Sequence, residues 1–557
     1  MTPFNQPAPE LGNQYQHDRV LRGYLRRCLP QEALAKIHPE LEHMGELAGG
    51  ELYRAQLADR LNEPHHTPFD GWGNRIDEIE LTPLWQRAEK LAAQSGLVAI
   101  AYERALGRYS RIHQFALVYL FTPSTDVYSC PLAMTDGAAR VIASSDNRAL
   151  ANRILPRLTA RDPEQFWTSG QWMTESTGGS DVGISETIAR QAGANWKLYG
   201  RKWFTSAVSS QMALTLARPE GNPPGGKGLA LFFLETHDAQ GQLNHIVVHR
   251  LKDKLGTRKV PTAELTLDGA VAEPVAGLEN GVRNIAPMLN VTRTWNAVSA
   301  VSYMRRGLAL ARDYATRRVA FGAPLSEKPL HVDTLAGVQS EFEAAFHLTF
   351  AAVELMGRAE AGEADEAQQD LLRLLVPVAK LMTGKQAVSV LSEVIESFGG
   401  AGYVEDTGLA QLLRDAQVFP IWEGTTNVLS LDVLRVLAGG RSLDALEIEA
   451  GTLASGLREP ELQDCAGVAQ GALRHAARWL SQAQAEALEA GARRLALTIG
   501  RAMAALLLAR HAQWLVDHDG DRHGCHSASI FCGRGIDLID DAADYQRSLA
   551  LMQPAGQ

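Results

Sequence analysis

Cysteine is scarce in this chain: Cys28, Cys130, Cys465, Cys525 and Cys532 are five in 557 residues, odd in number and scattered. That usage excludes a disulfide framework and fits a reducing compartment, so a cytoplasmic location is expected. Positive charge is also short. A net charge of -10 and a pI near 5.9 give the molecule as a whole no electrostatic pull toward nucleic acid or an anionic membrane. Lysine is missing altogether from residues 441–557, where eleven arginines face fifteen acidic residues. No early apolar stretch has the basic flank and cleavage pattern of a secretory signal, and the late apolar segment 495–516 is interrupted by Arg501, Arg510 and His511. No membrane partner is expected. The cluster His518, His523, Cys525, His526 and Cys532 matches no zinc spacing, so surface histidines with two buried thiols are the reading and no metal is expected.

What is present is a large globular protein. Hydrophobic residues at 45% and charged residues at 21% are near soluble averages. At about 100 to 200 residues per domain the length predicts roughly three or four domains. From Leu84 to Ala105 apolar residues recur at three and four places, an amphipathic helical period that continues to about Leu158, so the opening third is expected to be mainly helical. Near Trp167 the pattern changes to short runs, several of them alternating, at 185–190, 196–199, 212–216, 229–234, 245–249 and 263–267. Gly, Pro and Asp turns separate them, as at 219–228 and Asp268-Gly269. These predict an antiparallel sheet of barrel or sandwich size. Beyond Gly281 the helical period returns, with proline-free stretches at 294–317 and 333–360 long enough to pack as a bundle. Gly439-Gly440 closes that region, and an Ala/Leu-rich helical segment follows. The expected domains are 1–165, N-terminal helical; 166–275, β-sheet; 276–440, long-helix bundle; and 441–557, an extra C-terminal helical domain.

Three stretches carry chemistry. In Phe419-Pro420-Ile421-Trp422-Glu423-Gly424-Thr425-Thr426-Asn427 a lone carboxylate sits between a bulky aromatic and a glycine. An apolar setting would leave Glu423 poorly solvated, as suits a general base that removes a weakly acidic C–H proton; a turn or helix-entry glutamate is the plainer reading. In Met173-Thr174-Glu175-Ser176-Thr177-Gly178-Gly179-Ser180-Asp181 glycines and small hydroxyls let backbone approach a planar ring and offer donors. In Lys202-Trp203-Phe204-Thr205 the indole supplies a flat apolar face or, equally, a core tryptophan. Gly399-Gly400 by itself reads as a helix break as readily as a ligand contact.

These stretches, in this order, resemble the acyl-CoA dehydrogenase family of flavoproteins. The 173–181 stretch is similar to its Thr-Glu-x-x-x-Gly-Ser-Asp signature, 202–205 to its second flavin-contacting strand, and 398–403 through Arg414-Asp415 to Trp422-Glu423-Gly424-Thr425 to its C-terminal signature. The resemblance implies an α+β fold with an N-terminal helical domain, a central antiparallel β-domain, a C-terminal four-helix bundle and here an extra helical domain. It implies FAD, with Met173, Thr174, Gly179, Ser180, Trp203 and Thr205 toward the isoalloxazine side. Arg318, Phe321 and Gly322 resemble the family's Arg-x-x-Phe-Gly, whose arginine pairs with the pyrophosphate across a subunit boundary, a contact suited to a permanently charged guanidinium. Gly399, Gly400, Thr425 and Asn427 fall where the family contacts the dinucleotide from a neighbouring subunit, though a glutamine is common at the position of Asn427. Some members carry the catalytic glutamate just before an arginine on the first long bundle helix; that position here is Thr292, before Arg293, so the resemblance assigns the base to Glu423. The implied reaction is α,β-dehydrogenation of an acyl-CoA thioester, with the thioester carbonyl polarised by the Glu423 N–H and a flavin ribityl hydroxyl.

Within the family the chain is similar to the AidB-like, alkylation-response branch. Phe4-Asn5-Gln6-Pro7, Cys130-Pro131 with Met134, Leu251 through Gly256, Leu431 through Leu437 and the extra C-terminal domain carry that likeness. It implies a homotetramer built as a dimer of dimers, and as the alternative function a DNA-binding flavoprotein with residual dehydrogenase activity. Duplex binding through 441–557 is expected to be weak, because phosphate neutralisation needs the arginines, among them Arg474, Arg478, Arg493, Arg494, Arg501 and Arg510, to gather on one face. Acyl chain length and electron-transfer partner are not encoded in any motif.

Overall fold

The computed structural model describes residues 6–193 and 195–554. Phe4 and Asn5 lie outside them. By internal contact the chain divides into a sheet unit, His43–Ala105 with His113–Trp295, and a helical unit made of the residues up to Glu42, Leu106–Ile112 and Asn296–Gln557.

In the sheet unit the helical period from Leu84 resolves into two helices, Pro83–Gln94 and Ala99–Glu103. Pro83 opens the first, where its missing N–H costs nothing. Gly96, at φ +64°, lies past its end in the left-handed conformation that favours glycine. The opening third is not wholly helical. A hairpin of β1 (His65–Phe69) and β2 (Arg75–Glu80) turns at the Asp70-Gly71-Trp72-Gly73 loop. The central strands are β3 (Ser169–Trp172), β4 (Ile188–Ala192), β5 (Asn195–Ser206), β6 (Met212–Pro219), β7 (Ala230–Glu235), β8 (Ile246–Leu251) and β9 (Thr262–Pro274). Pairing runs from β6 through β4, β5, β9 and β7 back to β6, so the sheet closes on itself, with β3 and β8 added alongside.

Two features differ from the antiparallel reading. β3 and β4 both pair with β6 in parallel, which alternation cannot reveal because it fixes a strand's faces and not its neighbours' direction. Asp268-Gly269 is no turn: β9 runs straight through it, and Gly269, at φ +89°, lies where the register with β5 shifts, a bulge that requires a left-handed residue. Inside the sheet Trp172, Leu198, Phe232, Leu265 and Leu267 form the core. Asp136, fully buried on the helix Ser129–Ser144, ties the rest of the unit together: it accepts from Tyr102 Oη at 2.9 Å, Gln114 Nε2 at 3.0 Å and Trp295 Nε1 at 2.8 Å.

In the helical unit the stretch expected at 294–317 is the later part of a helix Gly281–Arg317, which begins earlier and runs through Pro287; Trp295 and the residues before it belong to the sheet unit. Pro329–Glu360 and Glu366–Ser397 follow, the latter opened by an Asp365/Gln368 capping box. The C-terminal helices Arg441–Ser455, Pro460–Gln482 and Ala485–Asp519 share one apolar core with them, and Gly500 lets Ala485–Asp519 approach Met382 closely. Glu366–Ser397 and Ala485–Asp519 are long and apolar enough to cross a membrane, yet 83% of the apolar window of each is buried in the protein, as befits core helices.

Asp136→Ala is expected to orphan the buried Trp295 N–H, while Tyr102 and Gln114 keep their bonds to the residue 136 and Leu97 carbonyls, and to cost about 1 to 3 kcal/mol. The check is the shift of the denaturant midpoint of the full chain.

Candidate functional site

The sheet unit holds six of the predicted residues together around the loop after β3. Glu175 and Gly178 exchange backbone hydrogen bonds at 3.3 and 3.0 Å, closing a tight turn in which Gly178 takes φ +134°. The Thr174 carbonyl accepts from the Trp203 N–H at 3.0 Å, which docks the loop on β5. Met173 and Thr174 are half-buried, Gly179 lies under the Thr174 side chain, and Ser180 is exposed.

Nothing in the motif announced what fixes this loop. Lys202, without solvent exposure, donates to Glu175 Oε1 at 2.7 Å and to the Leu216 carbonyl of β6 at 3.0 Å. Glu175 accepts further from the Thr187 hydroxyl at 2.6 Å and the Glu186 N–H at 2.6 Å. Burial pushes the Glu175 carboxyl up, but the Lys202 charge and these hydrogen bonds outweigh it, and the carboxyl stays below its ordinary range. Burial lowers the Lys202 ammonium, against the attraction of Glu175. The motif's glutamate is therefore a clasp between three strands and not an open acid.

A bulge in β5 falls between Lys202 and Thr205, so Trp203 and Phe204 sit on an irregular stretch that re-aims its side chains. Lys252 Nζ stands 3.5 Å above the Trp203 ring and 4.5 Å from that of Phe204. It is held there by Glu264 Oε1 at 2.7 Å, which also receives Arg250. Trp203 is half-buried and Phe204 half-exposed, whereas Thr205 is fully buried and donates its hydroxyl to the Ala263 carbonyl at 2.6 Å.

The remaining predicted residues belong to the helical unit. Arg318, half-buried, follows the first long helix and donates to Gln6 Oε1 at 3.4 Å. The short strands Val319–Ala320 and Ala323–Pro324 then form a hairpin whose two-residue turn is Phe321-Gly322, both left-handed, at φ +50° and +81°. Phe321 is 98% exposed on that strained turn. Gly399, at φ +59°, and Gly400 open the helix Gly400–Tyr403, are exposed, and would meet nothing if given a Cβ.

Glu423 lies on the loop between helices Leu409–Ala416 and Thr426–Leu437. It adopts φ +57°, followed by Gly424 at +103°, a strained pair for a non-glycine residue. Four anchors hold the loop. Fully buried Lys380 donates to the Gly424 carbonyl at 2.5 Å, and Asn296 Nδ2 donates to the Phe419 carbonyl at 3.0 Å. Gly384 admits the Phe419-Pro420 backbone at about 3.0 Å from where a Cβ would be, and Thr425 caps the following helix. Phe419 turns inward, but Trp422 and Glu423 are only half-buried, so the base candidate is not sealed from solvent as its apolar neighbours suggest. Thr425 and Asn427 are exposed. Thr292 is buried, its hydroxyl donating to the Leu289 carbonyl at 3.2 Å within its own helix.

The model of the acyl-CoA dehydrogenase middle domain matches residues 170–270 and that of the acyl-CoA dehydrogenase C-terminal domain 279–438. The adaptive response protein AidB N-terminal domain matches 5–165, and the acyl-CoA dehydrogenase 11 C-terminal domain-like family 447–550. Acyl-CoA dehydrogenase family member 11 of Caenorhabditis elegans is 43% identical over 533 residues, 91% of this chain and 86% of that protein. The putative acyl-CoA dehydrogenase AidB of Escherichia coli is 31% identical over 449 residues, 78% of this chain and 80% of that one. The crystal structure of Caenorhabditis elegans ACDH-11 in complex with C11-CoA superposes with a TM-score of 0.94 at 40% identity, covering 99% of this chain and 96% of the other.

Glu264 gives this region a pH signature. Burial pushes its carboxyl up, but the bonds from Arg250 and Lys252 outweigh that and bring it from 4.5 down to about 2. A carboxyl lowered in the folded state contributes stability that is present above its unfolded value and lost as pH falls through the folded one. The parent should therefore lose melting temperature between about pH 4.5 and 2 through this group, and Glu264→Gln, already lacking the contribution at neutral pH, should show a flatter profile over that window.

Proposed function

The chain belongs to the acyl-CoA dehydrogenase family, on its AidB-like side, and from that premise we propose that it dehydrogenates an acyl-CoA thioester with FAD as cofactor and Glu423 as general base. The observation that carries this reading is the Glu423 loop: a half-buried carboxylate on a left-handed residue, pinned by Lys380 and Asn296 at the entry to a helix. Rigid support of that kind is what a positioned proton acceptor needs. The relative ACDH-11 is solved in complex with C11-CoA, which supports a fatty acyl thioester as the substrate class.

The residues present fit a dinucleotide. Gly178, Gly399 and Gly400 each leave open space above the backbone, and at 178 and 399 positive φ values keep out other side chains. Trp203, Thr174 and Ser180 would hold the ring; Arg318 would hold the pyrophosphate, with Gly399, Gly400, Thr425 and Asn427 reaching the cofactor of a neighbouring copy. Bound there, FAD supplies the acceptor for a hydride leaving the β carbon. Glu423 takes the α proton onto a carboxylate oxygen, its N–H polarises the thioester carbonyl, and a trans-2-enoyl thioester results. A homotetramer belongs to the same proposal, and Phe321, 98% exposed on a left-handed turn, is free to meet a neighbouring copy at this hairpin.

Of the arginines that a DNA face in 441–557 would need, Arg474, Arg478 and Arg493 are exposed and Arg494 is half-buried, whereas two others are engaged elsewhere. Arg501 is spent on Glu341, at 3.0 Å, and on the Gly535 carbonyl, at 2.6 Å, while Arg510 lines a half-open cavity.

Glu423→Gln is expected to keep the fold and the FAD content while slowing reduction of the flavin by acyl-CoA by about 10²- to 10⁴-fold or more, since the amide cannot accept the proton. Stopped-flow reduction of parent and variant is the measurement, and an unchanged rate would place the base elsewhere.

A further inference from the structure

The helical unit contains a cavity of about 180 Å³ that uses none of the residues given to FAD or to proton transfer. Its wall is basic: Arg27, Arg108, Arg358 and Arg510 meet a single carboxylate, Glu354, with Cys28 and Tyr109 completing the lining. Three helices supply most of it: Arg19–Cys28 near its end, Pro329–Glu360 through residues 354 and 358, and Ala485–Asp519 through residue 510.

The four guanidiniums are not equally engaged. Arg358 pairs with Glu354 Oε1 at 3.1 Å, and Arg108 with Glu363 Oε2 at 3.0 Å. Arg27 donates its Nε–H to His511 Nδ1 at 3.2 Å, and burial together with Arg27 holds that imidazole well below its ordinary range, so it offers no charge in return. Arg510 makes no hydrogen bond or ion pair with any described residue; its Nε is buried and unpartnered, and Glu354 and Glu449 act on it only at a distance. Two half-buried guanidiniums therefore face a half-open cavity without a paired carboxylate, an arrangement that an anion would complete.

The chemistry narrows that anion. A cavity of this size has room for about six waters, too small for a nucleotide or a whole coenzyme. One carboxylate fills one guanidinium fork, and Glu354 already supplies one; a tetrahedral dianion can serve both unpaired forks at once. Cys28 is no competing nucleophile, because burial pushes its thiol up to about 11. We propose that this cavity binds a dianionic phosphate, either inorganic phosphate or the head of a small phosphate monoester, seated between Arg27 and Arg510.

The test uses the full chain with FAD in excess, so that the dinucleotide's own phosphate contacts are closed to the probe. Melting temperature is followed on titration with inorganic phosphate, with glycerol 3-phosphate, and with chloride at matched ionic strength. The parent should gain saturably with phosphate and not with chloride; a tighter response to glycerol 3-phosphate assigns the ester head, and a tighter response to phosphate assigns the free ion. Arg510→Met should weaken binding about tenfold or more, one charged contact's worth, while leaving the phosphate-free protein no less stable, because it removes an unpaired, half-buried charge. Glu354→Gln should shift affinity the other way, since a repelling carboxylate is gone. Equal gains with chloride, or an Arg510→Met variant that responds as the parent does, would overturn the proposal.

Discussion

A lysine shut away from water must find oxygen partners inside the protein, and each unit of this chain uses one to fix a loop. In the sheet unit Lys202, at 0% exposure, binds Glu175 and the Leu216 carbonyl, which sets the 173–181 loop across β5 and β6. In the helical unit Lys380, also at 0%, binds the Gly424 carbonyl and with it the turn that presents Glu423. Breaking either clasp leaves a buried ionic or carbonyl group unsatisfied, so the loop cannot drift without a penalty of a few kcal/mol. Neither lysine carries a step of the proposed reaction. Their work is to make two exposed loops behave like parts of the core.

The segments given to the site also carry local irregularity that a relaxed backbone would shed. Glu423 stays left-handed between an inward-packed Phe419 and the cap of a helix. Trp203 and Phe204 ride on the β5 bulge under the ammonium of Lys252, itself tethered by Glu264. Phe321 tops its hairpin in a conformation glycine or asparagine would take more easily. Such strain persists only where the surroundings over-determine it, and it gathers here on the segments that the proposed chemistry needs.

Much of the fold was legible because it rests on periodicity: six short runs, several of them alternating, became strands, and the long helical stretches became the bundle. The hairpin at 65–80 lies ahead of the helical period that begins at Leu84, and only the Asp70-Gly71-Trp72-Gly73 turn marks it in the sequence. Parallel pairing to β6 was not legible, since direction is settled by neighbours far along the chain. At the site the motif stretches stood out by spacing, but what holds them did not. Glu175 and Lys202 lie 27 positions apart on different elements, and Lys380 lies 44 positions from Gly424. Composition around Glu423 suggested a sealed carboxylate; only the turn of the backbone, which buries Phe419 and leaves Trp422 at the surface layer, shows it half-buried.

The central claim is that this chain carries out a flavin-dependent oxidation of an acyl thioester. Anaerobic titration of the purified, FAD-loaded protein with a panel of saturated acyl-CoAs, followed by the flavin spectrum and by product analysis, tests it most directly. The account predicts that at least one chain length bleaches the oxidised flavin and yields one 2-enoyl-CoA per flavin reduced. A flavin that stays oxidised across the whole panel, or a protein that holds no flavin, would contradict it.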